Sequence, residues 1–144
     1  MLGLRPAVAA DQDFCFRLHR AALGEYVEAV WGWDDEDQRR RHRASFTPGR
    51  WQIVTVDGLD VGVLVVEHRP AEIWLGLIEI GPRHQNRGIG GQLLRLLAGH
   101  RQRIVLEVLA VNTRAYAFYR RHGFGETGRR DGKILLAREP GQED

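Results

Sequence analysis

The stretch Gln85-Asn86-Arg87-Gly88-Ile89-Gly90-Gly91 decides the fold of this chain. It stands between a predicted strand at residues 72–80 and a predicted helix in which leucines recur at helical spacing from Leu93 to Leu97. Glycines let a backbone approach a ligand closely, and the unpaired N–H groups at a helix start favour an anion. The segment therefore predicts a phosphate cradle, although glycines at this density also suit a plain tight turn.

Neither of the two common phosphate-binding motifs explains the stretch. A Walker loop is excluded because no Gly-Lys-Ser/Thr follows the glycines. A dinucleotide-binding fingerprint is excluded because the glycine spacing differs and no early βαβ unit precedes it. The fold therefore has to be inferred from the elements on either side.

Those elements predict an α/β protein. Asp57-Gly58 between two runs of β-forming residues indicates a hairpin, and two helices are predicted to begin at Asp11 and near Asp34. Another helix carries Tyr116 and Phe118. The order βααβββαβαββ predicts a mixed, mostly antiparallel central sheet of six or seven strands flanked by about four helices. The predicted strands are residues 4–8, 51–56, 61–67, 72–80, 104–110, 124–129 and 133–138.

The composition is that of one ordinary globular domain. The 144 residues are 43% hydrophobic and 28% charged. We expect a single domain over residues 1–144, with 141–144 as a frayed tail. No apolar run approaches the ~18 residues of a membrane span, and the first ten residues lack the apolar core of a signal peptide. We therefore expect a cytoplasmic protein with no membrane partner.

Charge and metal-ligating residues exclude further classes. The single Cys15 excludes an internal disulfide and a cysteine zinc cluster, and is expected to be a small core residue. His84, His100 and His122 show no metal-ligand spacing, so no metal is expected. The net charge of +2 argues against a nucleic-acid binder. The arginine-rich helix around His42 nevertheless leaves nucleic-acid binding as an alternative function. His42 itself is expected on a solvated face of that helix.

Two blocks of sequence resemble the GNAT superfamily of acyl-CoA-dependent N-acetyltransferases. Gln85-x-x-Gly88-x-Gly90, preceded by Ile78-Glu79-Ile80-Gly81-Pro82, is similar to the acyl-CoA loop of that family. A second block is similar to the bacterial ribosomal-protein alanine N-acetyltransferases. It comprises Leu106-Glu107-Val108, Asn112-x-x-Ala115-x-x-Phe118-Tyr119 and Gly123-Phe124. The resemblance covers about residues 60–128, and the N-terminal third matches only in general layout.

The resemblance implies acetyl-CoA as co-substrate. Its pyrophosphate would lie on the backbone N–H groups of Gln85, Asn86, Arg87, Gly88, Ile89, Gly90 and Gly91. Its pantetheine arm would run beside Ile78 and Ile80, and a backbone N–H near Ile78 would polarise the thioester carbonyl. Arg83 and Arg87 either add positive charge for the phosphates or are solvated surface residues. Asn112 caps the following helix and, in the family, often contacts the cofactor.

The catalytic groups follow from the same resemblance. Tyr119 matches the tyrosine that protonates the leaving thiolate, or is an amphipathic core residue. Glu107 is the first candidate for the general base and Glu79 is the second, and water is the remaining alternative. By strand alternation Glu79 points away from the face of Ile78 and Ile80, so it faces substrate or solvent. Trp74 stands where some relatives carry a glutamate base.

The acceptor region of the family is the first pair of helices. Here Glu25, Tyr26, Trp31 and Trp33 either bind a cationic amine by cation–π contact and ion pairing, or fill a helix–sheet interface. The resemblance predicts acetyl transfer to a primary amine, carried by a small molecule or a peptide, by direct attack on the thioester. The alternative is a non-catalytic acyl-CoA-binding or regulatory module of the same fold. A homodimer is plausible for a chain of this size with exposed sheet edges.

Overall fold

The computed structural model describes residues 1–141. Within them the element order is the predicted βααβββαβαββ, and the mixed α/β fold expected from the sequence is confirmed. Short 3₁₀ turns at Ala9–Asp11 and Pro82–His84 were not predicted. Of the predicted tail, residues 142–144 lie outside the described residues. The elements are β1 Leu2–Pro6, α1 Gln12–Trp31, α2 Asp35–Ser45, β2 Trp51–Val56, β3 Leu59–His68, β4 Glu72–Ile80, α3 Ile89–Ala98, β5 Arg103–Leu109, α4 Thr113–Arg121, β6 Gly125–Arg130 and β7 Lys133–Arg138.

Seven strands of the described chain form one sheet in the order β1-β2-β3-β4-β5-β7-β6. Its parallel pair is β4 and β5, with the register running from Glu72↔Arg103 to Trp74↔Val105 near the start of both strands. The pairs β1–β2, β2–β3, β5–β7 and β6–β7 are antiparallel, and β2–β3 and β6–β7 are the predicted hairpins. No helix of residues 1–141 has the length and hydropathy of a membrane span.

The chain forms two compact units, the first comprising Met1–Val65 and Leu77–Ile89. β2 and β3 carry consecutive buried residues, Ile53 and Val54 in β2 and 61–64 in β3, so both faces of these strands are covered. The core is a cluster of buried side chains against which Phe14, Phe46, Val65 and Leu77 pack. The cluster consists of Ala7, Cys15, Leu18, Trp51, Ile53 and Val63. Burial raises the pKa of the Cys15 thiol to about 12, in keeping with an inert core residue.

The two helices of this unit begin differently. Asp34 is the expected N-cap of α2, because its carboxylate accepts the Asp37 N–H at 3.1 Å. Asp11 immediately precedes α1 but makes no side-chain cap bond there. Its carboxylate instead accepts two bonds of 2.9 Å from the Arg5 guanidinium and one from the Val8 N–H. The predicted capping role of Asp11 is therefore wrong, because a bidentate arginine pair engages the same oxygens.

The second unit comprises Val66–Gly76 and the chain from Gly90 onward. β5 pairs with β7 from Ile104↔Arg138 to Leu109↔Lys133, and β6 and β7 form the predicted hairpin around Asp131-Gly132. Leu93, Leu94 and Leu97 are buried as the helical spacing of α3 predicts, whereas Leu96 is exposed. The apolar face of this helix thus follows from the sequence alone.

Candidate active site

The loop between β4 and α3 is held by the side chain of Gln85. Its amide nitrogen donates to the Ile80 carbonyl at 2.9 Å, which ties the loop to the end of β4. Asn86 and Gly88 both have positive φ, 62° and 78°, so the backbone alternates in hand along the loop. Positive-φ residues are typical of the backbone turns in which successive N–H groups face one side and bind an anion.

The loop is open to solvent at Gly88. A Cβ built on it meets nothing within 4 Å, and Asn86, Arg87 and Gly88 are exposed. The first N–H groups of α3, from Ile89 onward, have no partner within the helix. The arrangement can therefore accept a phosphate, and the exposed guanidinium groups of Arg83 and Arg87 lie in the same segment.

Gly90 and Gly91 lie where α3 packs against α4. A Cβ at Gly90 would lie 2.9 Å from the ring of Phe118, and one at Gly91 would lie 3.0 Å from the ring of His122. The first distance is shorter than real Cβ atoms show and the second is tighter than most, so these glycines allow α3 to pack closely against α4. The sequence motif therefore combines an open glycine for a ligand with two glycines for helix packing.

Tyr119 lies on α4 next to Phe118. Its side chain is buried, with T-shaped ring contacts to Phe118 and Phe124 at centroid distances of 5.2 and 5.4 Å. Asn112 begins α4 as expected, because its Oδ1 accepts the Ala115 N–H at 3.1 Å. Tyr119 is thus held by packing on a capped helix, which suits a group that must be aimed.

Glu107 on β5 faces two cations. Its carboxylate accepts from the Arg130 guanidinium at 2.8 Å and lies 3.8 Å from the Lys133 ammonium. The side chain is 20% exposed, whereas those of Arg130 and Lys133 are largely in solvent. The charge of this carboxylate is therefore compensated within the sheet surface.

Glu79 on β4 is enclosed. Its side chain is only 3% exposed, and Oε2 lies 2.7 Å from Nδ1 of His19 on α1, whose side chain is 21% exposed. Burial opposes the charged imidazole, but the hydrogen bond and charge of Glu79 outweigh it and raise the pKa of His19. The solvent-facing placement considered for Glu79 is therefore wrong, because α1 covers this face of the strand.

His42 on α2 is buried, so its expected place on a solvated face is also wrong. Its ring packs edge-on against Phe16 and Trp51 and lies 6.0 Å from the ring of His19. Neither ring nitrogen has a hydrogen-bond partner among the described residues. Burial, with a smaller contribution from His19, lowers the pKa of His42 to about 4 and keeps it neutral near pH 7.

The candidate acceptor residues differ in accessibility. Trp31 is 59% exposed and Glu25 is exposed, whereas Tyr26 is half-buried on the same helix. Trp33 packs 6.3 Å from the ring of Phe16 and donates its indole N–H to Asp35. The two tryptophans are therefore unlike each other, since Trp33 helps fill the space between α1 and α2 while Trp31 faces solvent.

The comparisons with known proteins identify the family. A sequence model of the acetyltransferase (GNAT) domain matches residues 48–126, more than half of the chain. The chain belongs to the GNAT acetyltransferase family. A direct comparison of this GNAT sequence with curated proteins found no match.

Solved GNAT structures share the fold. The PaiA N-acetyltransferase of Thermoplasma acidophilum in complex with coenzyme A matches 96% of this chain and 99% of its own, at 13% identity and a TM-score of 0.75. An acetyltransferase of Thermus thermophilus matches 96% of both chains, at 22% identity and a TM-score of 0.75. The ribosomal-protein-S18-alanine N-acetyltransferase of Escherichia coli matches 100% of this chain and 97% of its own, at 19% identity and a TM-score of 0.68.

His19 belongs to none of the sequence motifs that resemble the GNAT family. The one signal available was its helical spacing, because His19 lies one turn after the buried Cys15 and beside the buried Leu18. That spacing places the ring toward the core face of α1, but the partner Glu79 is 60 positions away in the chain. Only the folded structure brings the two together.

Proposed function

We propose that this protein transfers the acetyl group of acetyl-CoA to a primary amine by direct attack of the amine on the thioester. The observation that carries the proposal is the open loop at Gly88, which directly precedes the start of α3 in a chain of the GNAT acetyltransferase family. The first N–H groups of a helix have no partner within the helix. A diphosphate is the ligand chemistry that such a loop accepts.

The co-substrate would be held mainly by backbone. Its pyrophosphate would take the N–H groups of Gln85 to Gly91, with Asn112 as a further polar contact. The pantetheine amides would pair with β4 near Ile78 and Ile80, both half-buried, in the manner of an added strand. A backbone N–H of this strand would polarise the thioester carbonyl and stabilise the oxyanion. None of these contacts needs a particular side chain, which agrees with the low identity of the structural relatives.

The chemical step needs a neutral amine and a proton donor. The amine nitrogen attacks the carbonyl carbon, the tetrahedral intermediate collapses, and the carbon–sulfur bond breaks. Tyr119 would give its phenolic proton to the departing thiolate, a role for which a phenol is suited because it stays protonated at neutral pH. The exposed Glu25 and Trp31, with Tyr26, would attract a cationic acceptor, and Trp33 would support them by packing.

The experiment is a measurement of coenzyme A release. Purified protein is mixed with acetyl-CoA and, one at a time, with benzylamine, spermidine, lysine and a short peptide with a free α-amino group. We expect acetyl-CoA-dependent turnover with at least one of them and a calorimetric signal for coenzyme A alone. Binding without turnover on any amine would favour the non-catalytic module, and no binding would overturn the proposal.

A further inference from the structure

His19 and Glu79 form a pair that the family assignment leaves without a role. A histidine becomes a directed proton acceptor when a carboxylate holds one ring nitrogen, because this fixes the tautomer and leaves the other nitrogen with a lone pair. The 2.7 Å contact joins Nδ1 of His19 to Oε2 of Glu79. Nε2 is then the nitrogen that accepts.

The two side chains of the pair differ in how far they are buried. The Glu79 side chain is 3% exposed and that of His19 is 21% exposed, so the carboxylate is enclosed and the histidine is the member of the pair that reaches solvent. An enclosed carboxylate cannot reach an amine itself but can act through the histidine in front of it. The pair therefore has the order carboxylate, imidazole, solvent.

The surroundings keep the ring basic. Glu79 approaches His19 from β4, and His42 is the titratable group that faces it from α2. His42 is neutral near pH 7, so it adds no competing positive charge. Cys15, one turn earlier on α1, is a thiol whose raised pKa keeps it uncharged as well. Glu79 is thus the charge that governs the protonation of His19.

The position of the pair connects it to the proposed reaction. Glu79 stands between Ile78 and Ile80, the residues whose backbone is proposed to hold the pantetheine arm. His19 lies on α1, the helix that also carries Glu25, Tyr26 and Trp31. The pair thus joins the strand proposed for the thioester to the helix proposed for the acceptor.

We propose, on the basis of the function proposed above, that His19 takes the proton from the acceptor ammonium and that Glu79 is the residue that positions it. The ammonium gives one proton to Nε2 of His19, which later passes it to water. The neutral nitrogen then attacks the acetyl carbon, and the tetrahedral intermediate collapses with cleavage of the carbon–sulfur bond. Tyr119 gives its proton to the thiolate, and a second proton from the nitrogen returns to Tyr119. The third proton stays on the amide nitrogen.

The test combines pH–rate profiles with a direct titration. His19→Gln should lower kcat/KM by about 10²-fold for the fastest amine of the panel, with coenzyme A affinity unchanged. Glu79→Gln keeps an oxygen that accepts the Nδ1–H but removes the charge. It should therefore lower the pKa of His19, seen in the ring NMR signals, and move the acid limb of the profile to lower pH. The matched control is His100→Gln, an exposed histidine, which should leave all three readouts unchanged.

A pair of isomeric amines separates proton transfer from pocket shape. Benzylamine is an ammonium at pH 7, whereas 4-methylaniline is already neutral and needs no base. His19→Gln should slow the first far more than the second. Equal losses for both amines, or an unmoved profile and ring titration in Glu79→Gln, would overturn the inference. Wild-type protein that binds coenzyme A but acetylates no amine would instead contradict the proposed function, on which this inference rests.

Discussion

Glu79 and Glu107, the two glutamates that the sequence nominates as bases, lie in opposite surroundings. Glu79 is enclosed in the first unit behind an imidazole, 2.7 Å away. Glu107 lies in the second unit at the sheet surface, 2.8 Å from Arg130 and within 4 Å of Lys133. In the sequence both are a glutamate among apolar strand residues.

The difference teaches which partner turns a carboxylate into part of a base. Glu107 is paired with two cations, Arg130 and Lys133. Glu79 is instead paired with His19, and its hydrogen bond and charge raise the pKa of that histidine. This difference between the neighbours of the two glutamates is the ground for proposing His19, and not Glu107, as the base.

The largest effect is expected at the loop, where two glycines with nearly equal φ, one in each unit, can be compared. Gly88 has φ 78° and Gly132 has φ 77°, and a Cβ on either meets nothing within 4 Å. Gly88→Glu should abolish coenzyme A binding in calorimetry, because a carboxylate would face the pyrophosphate. Gly132→Glu carries the same strain and charge and should bind normally. Equal affinities for both variants would remove the loop assignment.

A smaller effect is expected from two tyrosines of α4. Tyr119 is buried, whereas the hydroxyl of Tyr116 donates to Glu126 at the surface. Tyr119→Phe should lower kcat by about 10²-fold without changing coenzyme A affinity, because only the proton donor is lost. Tyr116→Phe should retain full turnover in the same assay. Full activity of Tyr119→Phe would show that another group protonates the thiolate.

The buried His42 predicts a pH dependence of stability in the first unit. Its pKa is lowered to about 4, so the unfolded chain takes up the proton first as the pH falls from 6.5 toward 4. The free energy of unfolding should therefore fall by about 2 kcal/mol between pH 7 and pH 5 from this residue. His42→Phe should abolish that loss in urea titrations, and the exposed His68→Phe should not. Parallel pH slopes for wild type and His42→Phe would contradict the placement.

The smallest effect is expected from Glu107→Gln. The change removes an ion pair whose cationic side chains, Arg130 and Lys133, are 66% and 42% exposed, and such a pair is worth at most about 1 kcal/mol. Because our proposal makes His19 and not Glu107 the base, we expect kcat/KM within about threefold of wild type and an unshifted pH–rate profile. Loss of the base itself would cost ~10²-fold or more. A flattened profile for Glu107→Gln, together with a normal one for His19→Gln, would reverse the comparison and return the role of base to Glu107.

Local signals were sufficient for the order of elements and for the loop. β4 and β7 were predicted with their observed bounds, because turn residues such as Pro70 and Gly132 mark strand ends within a few positions. The glycines of the loop were visible, but their division between an open turn at Gly88 and packing against Phe118 at Gly90 was not. That division depends on where α4 lies, which no local pattern specifies.

The sequence by itself determined the family, the strand and helix order and the candidate phosphate loop, because periodicity, turn residues and contiguous motifs act over a few neighbouring positions. Only the tertiary structure decided the surroundings of the ionisable side chains. It buried His42 among aromatic rings, placed Arg130 on Glu107 and closed His19 over Glu79. The physical reason is that the basicity of a side chain depends on burial and on nearby charges, and packing draws those from residues 23 to 60 positions away.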